Sequence, residues 1–266
     1  MPQLRSNIEW EQWGAQDPLF GAVNWPGKEK GSPTAWTDQE FYALGKSDWT
    51  DFFGQWQHYA VTRDSCLEIG CGTGRFTKQL SLTFRRVFAV DISTNMINYA
   101  KARIEADNVA FFVSDGVRLP EPDCSVTAVF SAYVLQHLDN VEIGLAYFRE
   151  MYRILTIGGT LMVQIPLYQW PTSEQSKFTT IVNFLYDARC KISKLLAETR
   201  RVTGKRTMRN TIYPMKRPKD MLTTAGYGRV EFRLFPAMSD GSLQSVVFAT
   251  KSGSESIFHP FPVSKH

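Results

Sequence analysis

The segment Glu68-Ile69-Gly70-Cys71-Gly72-Thr73-Gly74 joins a carboxylate to three glycines at alternate positions. Glycines so spaced let the backbone approach a ligand with no Cβ in the way, and a following helix offers free N–H groups. Two further carboxylates end short apolar runs: Asp91 closes Val87-Phe88-Ala89-Val90, and Asp115 follows Phe112-Val113-Ser114. A carboxylate at the carboxyl end of an adjacent strand can accept hydrogen bonds from both hydroxyls of a ribose diol. A fourth place of interest is Phe130-Ser131-Ala132-Tyr133-Val134-Leu135-Gln136-His137. Histidine ordinarily titrates near neutrality, so His137 can take a proton from a hydroxyl or simply pack beside a ligand.

The glycine register separates two families of site. A dinucleotide fingerprint, Gly-x-Gly-x-x-Gly, needs its third glycine at position 75, which is Arg75; the glycine stands at 74. That departure counts against a dinucleotide-dependent oxidoreductase.

These residues need strands and helices in a fixed rhythm. Short apolar runs at 66–69, 86–90, 109–113, 125–131 and 160–165 read as strands, with helical patterns at 76–82, 94–105 and 141–155 between them. Ser93 is a natural N-cap for the second helix. Strand alternating with helix predicts a parallel sheet with helices on both faces. A helix over 219–226 then precedes strands at 229–235 and 243–250 around Ser239-Asp240-Gly241, a link too short for a parallel crossover. The expected fold is α/β: a Rossmann-like, doubly wound, seven-stranded, mostly parallel sheet with an antiparallel last strand. An aromatic N-terminal helical extension (1–60) and a helical insertion after strand five (168–215) complete it. The catalytic domain is expected over 61–250, with a loose tail at 251–266.

In this order the marks resemble the class I S-adenosylmethionine (SAM)-dependent methyltransferases, in particular their small-molecule branch. The resemblance covers residues 60–165 and, more loosely, 215–250. Leu67-Glu68-Ile69-Gly70-Cys71-Gly72-Thr73-Gly74 resembles the family's first motif, whose loop lies under the methionine and ribose of SAM. Asp91 resembles the acidic residue that takes the ribose hydroxyls, and Asp115 the carboxylate that takes the adenine amino group. Leu155-Thr156-Ile157-Gly158-Gly159 stands where the family usually has Leu-Lys-Pro-Gly-Gly, with Thr156 and Ile157 as departures. The resemblance implies SAM as cofactor, held by Glu68, Gly70, Cys71, Gly72, Gly74, Asp91, Ile92, Met96, Asp115, Gly116 and Ser131. It implies transfer to a small organic acceptor, O-methylation slightly favoured on the strength of His137. Protein or RNA methylation and non-catalytic SAM binding are the alternatives.

Six of the seven tryptophans fall within the first 56 residues. The expectation is that most of these aromatics pack the segment onto the sheet while two or three reach the pocket. Trp25, Trp36, Tyr133, Tyr168, Trp170 and Tyr213 are the pocket candidates. Residues 171–220 hold twelve Lys/Arg against four Asp/Glu, a net +8 that leaves −4 for the rest of a +4 chain. Such a run reads first as a solvated helix face, next as steering for an anionic acceptor, and last as a nucleic-acid site.

The remaining composition is that of a globular protein: 43% hydrophobic, 21% charged, and no apolar run of membrane-spanning length. The first residues lack the apolar stretch of a secretory signal. Cys66, Cys71, Cys124 and Cys190 form no CxxC pair, and all but the loop residue Cys71 read as small packing residues. A reduced, cytoplasmic protein with no metal site and no nucleic-acid partner is expected.

Overall fold

A computed structural model describes residues 4–114, 116–168, 211–236 and 242–253. Its centre is a seven-stranded sheet of order β3-β2-β1-β4-β5-β9-β8. The strands are β1 (Ser65–Ile69), β2 (Arg86–Asp91), β3 (Val109–Val113), β4 (Val126–Ser131), β5 (Leu155–Gln164), β8 (Tyr227–Pro236) and β9 (Leu243–Lys251). β1 to β5 run parallel, and β9 is antiparallel to both β5 and β8. The expected doubly wound fold with a reversed last strand is therefore what forms. A separate two-residue ladder, β6 (Leu167–Tyr168) with β7 (Tyr213–Pro214), brackets the insertion.

β1 is buried along its whole length, which is why Ser65-Cys66-Leu67-Glu68-Ile69 reads as an unbroken run rather than an alternating one. The chain leaves β1 toward β2 and β3, then returns to lay β4 on β1's other side. Between the carboxyl ends of β1 and β4 the winding reverses, and in open α/β sheets a crevice forms there.

Helices cover both faces. On one side α6 (Val141–Ile154) contributes Leu145, Phe148, Met151 and Ile154, and α7 (Lys216–Thr224) contributes Met221 and Leu222. On the other, α4 (Thr77–Thr83) and the long α3 (Asp38–Trp56) pack Leu80, Trp49, Phe52 and Trp56 against Phe130 and Phe248. α5 (Thr94–Lys101) begins at Ser93, whose hydroxyl accepts from Met96 N as its sequence position implies.

The N-terminal segment holds α1 (Arg5–Gln16), α2 (Pro18–Ala22) and α3. Residues 38–44 and 49–60 read as separate short helices, yet α3 is continuous. A Thr37/Glu40 capping box starts it, each side chain bonding the other's backbone N–H at 3.2 Å. Gly45 and Lys46 do not break it. Trp25 and Trp36 form a satellite cluster with Leu19, Val23, Phe41 and Tyr42.

Cys66 and Cys71 are buried. Cys124 departs from its reading as a packing residue: it is exposed, at a left-handed turn (φ 52°), with Lys251 Nζ donating to its sulfur at 3.2 Å. Cys190, most of the basic segment and the tail lie outside the described residues.

Candidate active site

After β1 the chain hooks sharply. Gly70 N and Cys71 N both donate to Val90 O, at 2.7 and 3.0 Å, which ties the loop to β2. Gly70, Gly72 and Gly74 all have positive φ (70°, 53° and 86°), conformations that favour glycine. A Cβ on Gly70 would also collide with Val134, whereas the space beside Gly72 is open.

Asp91 lies at the end of β2 and is 8% exposed. Its Oδ2 accepts from Gly72 N at 2.8 Å and its Oδ1 from Ser93 N at 2.9 Å. Burial pushes its pKa up, and the backbone N–H groups of Ser93, Gly72 and Ile92 oppose that shift. Each carboxylate oxygen keeps a lone pair for a further donor.

A cavity of about 970 Å³, its mouth included, opens at the switch point. The sequence candidates Gly70, Cys71, Gly72, Asp91, Ile92, Met96, Tyr133 and His137 all line it. Several other candidates lie behind the wall. Glu68 is 2% exposed, accepts from Thr77 Oγ1 at 2.6 Å, and is pushed up to about 8 by burial. Gly74 faces Ala100 and Ile104, providing close contact with the α5 region. Ser131 donates to Ile69 O at 3.1 Å and so ties β4 to β1. Gly116 lends its carbonyl to Ser114 Oγ and Tyr147 Oη, folding the loop after β3.

Of the pocket aromatics, Tyr133 lines the cavity, while Trp25, Trp36 and Tyr213 pack elsewhere. Trp25 and Trp36 pack on each other at 5.2 Å in the satellite cluster, and Trp36 Nε1 donates to Val23 O. Tyr213 is wholly buried, its hydroxyl donating to Leu135 O at 2.9 Å. Asp115, Trp170 and the side chain of Tyr168 lie outside what is described.

Other residues close the cavity. Leu4, Ser6, Asn7 and Trp10 bring α1 across it, and Thr73, Arg75, Phe76, Ser114 and Tyr147 add polar and aromatic wall. α1 has no side-chain cap of its own; Asp139 Oδ2 accepts from Arg5 N at 2.9 Å and Ser6 N at 3.4 Å. Trp10 sits edge-on to His137 at 5.0 Å. His137 Nε2 lies 3.1 Å from Gln136 Nε2. An amide nitrogen can only donate, which assigns the imidazole Nε2 as acceptor and the proton to Nδ1.

The wall suits SAM. Asp91 has acceptor capacity for a diol, Ile92 and Met96 give an apolar slot for a base, and the glycine cradle leaves room for a backbone-hugging chain. Thr73 Oγ1 is buried on this wall with no hydrogen-bond partner among the described residues. Among those residues no group of three or more His, Cys, Asp or Glu is placed to hold a metal ion, and no helix is long and apolar enough to cross a membrane.

A doubly wound sheet with one reversed strand and a glycine-loop cavity at its switch point defines the class I methyltransferase fold. Residues 67–163 match the family described as a methyltransferase domain, so this part of the chain is a methyltransferase domain. A malonyl-[acyl-carrier protein] O-methyltransferase from Hahella chejuensis is 37% identical over 118 residues, 41% of this chain and 40% of that protein. A demethylmenaquinone methyltransferase from Tropheryma whipplei is 30% identical over 101 residues, 38% of this chain and 41% of that one. The chain thus spans about 40% of the length of these curated relatives. Two solved structures share the fold. Magnesium protoporphyrin IX methyltransferase from Synechocystis, with bound S-adenosylhomocysteine (SAH), has a TM-score of 0.58 at 14% identity and covers 92% of this chain and 99% of that one. The N-methyltransferase NodS from Bradyrhizobium japonicum, also with SAH, has 0.55 at 15%, covering 92% and 98%.

Proposed function

We propose that the protein transfers a methyl group from SAM to a small organic acceptor, with oxygen the favoured atom. One observation carries this reading. The glycine loop with Asp91 and the aromatic wall of Trp10, Phe76 and Tyr133 belong to a single cavity, roofed by α1. A cofactor on the first wall would present its sulfonium toward the second.

The sulfonium supplies an already activated methyl group. The protein's own contribution is then position and dryness: holding two reactants in line at about 3 Å removes much of the barrier. Gly70 and Gly72 would lie under the methionine and ribose, Asp91 would take the ribose hydroxyls, and Ile92 and Met96 would flank the base. Glu68, Gly74, Ser131 and Gly116 would act through the loops they brace. Asp115 keeps its proposed adenine contact.

His137 is proposed as the base for a hydroxyl acceptor. In the geometry above its Nε2 lone pair faces the Gln136 amide, so taking a proton there requires Gln136 to swing away. His137→Gln should lower kcat more than it weakens SAH binding and should flatten the acidic limb of the pH–rate profile. An unchanged profile leaves the residue a packing role beside Trp10.

The malonyl-carrier relatives, named O-methyltransferases, support oxygen as the target. The same reading places the protein in the cytoplasm with its thiols reduced and without a nucleic-acid partner. Calorimetry with SAH tests the cofactor site. Asp91→Ala should weaken binding by about tenfold or more, the loss of two charge-assisted hydrogen bonds. Unchanged affinity would remove the assignment.

A further inference from the structure

Arg75 lines the same cavity with 6% of its surface exposed, and methyl transfer as read above makes no use of it. A guanidinium stays charged at any working pH, and burying it is unfavourable unless its edges and faces find partners. Burial pulls its pKa down, while Asp48, Tyr133 and Glu68 raise it.

Three parts of the fold converge to hold it. On α3, Gly45 makes room for the stem: a Cβ there would lie 2.5 Å from Arg75 Cγ and 2.7 Å from its carbonyl oxygen. Asp48, further along the same helix and fully buried, accepts from Arg75 Nη1 at 2.7 Å. The rings of Phe76 and Tyr133 flank the guanidinium, their centroids 4.5 and 5.3 Å from Cζ. Tyr133 is itself fixed in the left-handed region (φ 62°), its N–H donating to Gln164 Oε1 at 3.1 Å. For a bulky residue such backbone costs energy and persists only where the surroundings over-determine it.

Among the described residues Asp48 is the only side chain hydrogen-bonded to Arg75, so one of five N–H donors is used. The fork is flat, pre-oriented by its flanking rings, and at the cavity wall. Its matching partner is a planar anion that accepts two N–H groups side by side. The surrounding wall is aromatic, so the body attached to that anion is apolar.

We propose that Arg75 is the recognition group for a carboxylate on the methyl acceptor, oriented by Asp48, Phe76 and Tyr133, and that the acceptor is an apolar carboxylic acid. This rests on the methyltransferase reading of the cavity. The methionine end of the cofactor carries the same chemistry, and the experiment separates the two sources.

SAH-saturated protein is titrated by calorimetry with matched pairs: benzoate against benzamide, and hexanoate against hexanamide. Each acid should bind about tenfold tighter than its amide. In the double variant Asp48→Asn/Arg75→Gln, which leaves no carboxylate buried alone, the ratio should fall to about one while SAH affinity stays within about threefold. Equal binding of acid and amide to the wild type overturns the proposal. So does a double variant that loses SAH affinity with the acid–amide ratio intact, because the carboxylate would then be the cofactor's. If the double variant does not fold, the wild-type ratio decides. Wild-type protein that binds no SAH removes the cofactor reading itself, a failure seen before any acid is added.

Discussion

Glu68 and Asp91 end neighbouring strands, yet they live in different electrostatic surroundings. Asp91 is buried but receives two backbone N–H groups at under 3 Å. Glu68 receives one hydroxyl, from Thr77, and burial dominates. Its pKa rises from 4.5 to about 8. The folded protein therefore keeps a proton that the unfolded chain releases, and stability should fall as pH climbs from about 4.5 to 8 and level off beyond. The loss is on the order of 5 kcal/mol across that window. Glu68→Gln is neutral throughout, so the melting temperature of the wild type should drop relative to the variant between pH 5 and 8.5. A constant difference would mean that Glu68 is ionised in the fold. The sequence made Asp91 and the glycines legible because their spacing reports backbone shape. It did not show that Glu68 sits behind the cavity wall, because a motif does not say which neighbour a strand residue meets. Side chains alternate along β1, and Ile69 rather than Glu68 reaches the cavity.

α1 and α3 are the elements that sequence reading served least well. α1 has a Trp-rich pattern of weak amphipathicity and no capping residue before it, so local signals do not announce it. Its cap comes from Asp139, more than 130 residues away in the chain. Gly14 is what lets it lie down: a Cβ there would sit 2.6 Å from Ser93 Oγ and 3.0 Å from Asn95 Cβ. Asn95 Nδ2 also donates to Glu11 Oε1 at 2.8 Å across the same crossing. Gly14→Val should lift α1 off the start of α5, an overpacking cost of about 1–3 kcal/mol. SAH affinity should fall by about tenfold while circular dichroism stays native. Unchanged affinity would mean that α1 does not roof the cofactor. In α3, Gly45 stands in mid-helix, where a glycine is ordinarily unfavourable. It is an approach point, kept bare so that the helix can pass Arg75, and only the tertiary contact explains it.

For the whole molecule, strand order was readable because each strand of the parallel set has its own short apolar run and each crossover its own helix. The acceptor side was not. The wall proposed for it combines α1, the turn after β4 and the loop of Arg75, with α3 behind Arg75, and no local pattern brings these together. The tryptophans divide accordingly: Trp49 and Trp56 are core, Trp25 and Trp36 a satellite cluster, and Trp10 alone among the six lines the cavity. A ligand that binds only the folded state stabilises it by about 2.7 kcal/mol at a hundredfold excess over Kd. For a domain of this size SAH at that excess should raise the melting temperature by about 5–10 °C. No shift would contradict the cofactor site.

The turn at 135–139 fastens two distant pieces of chain, α1 and the exit of the insertion. Asp139 holds the start of α1, His137 meets Trp10, and Thr211, at the exit of the insertion, donates its N–H to Gln136 O and its hydroxyl to Leu138 O. None of these anchors involves the sheet. A change in this turn is therefore felt at once by the N-terminal segment and by the insertion's exit, while the sheet's winding stays untouched.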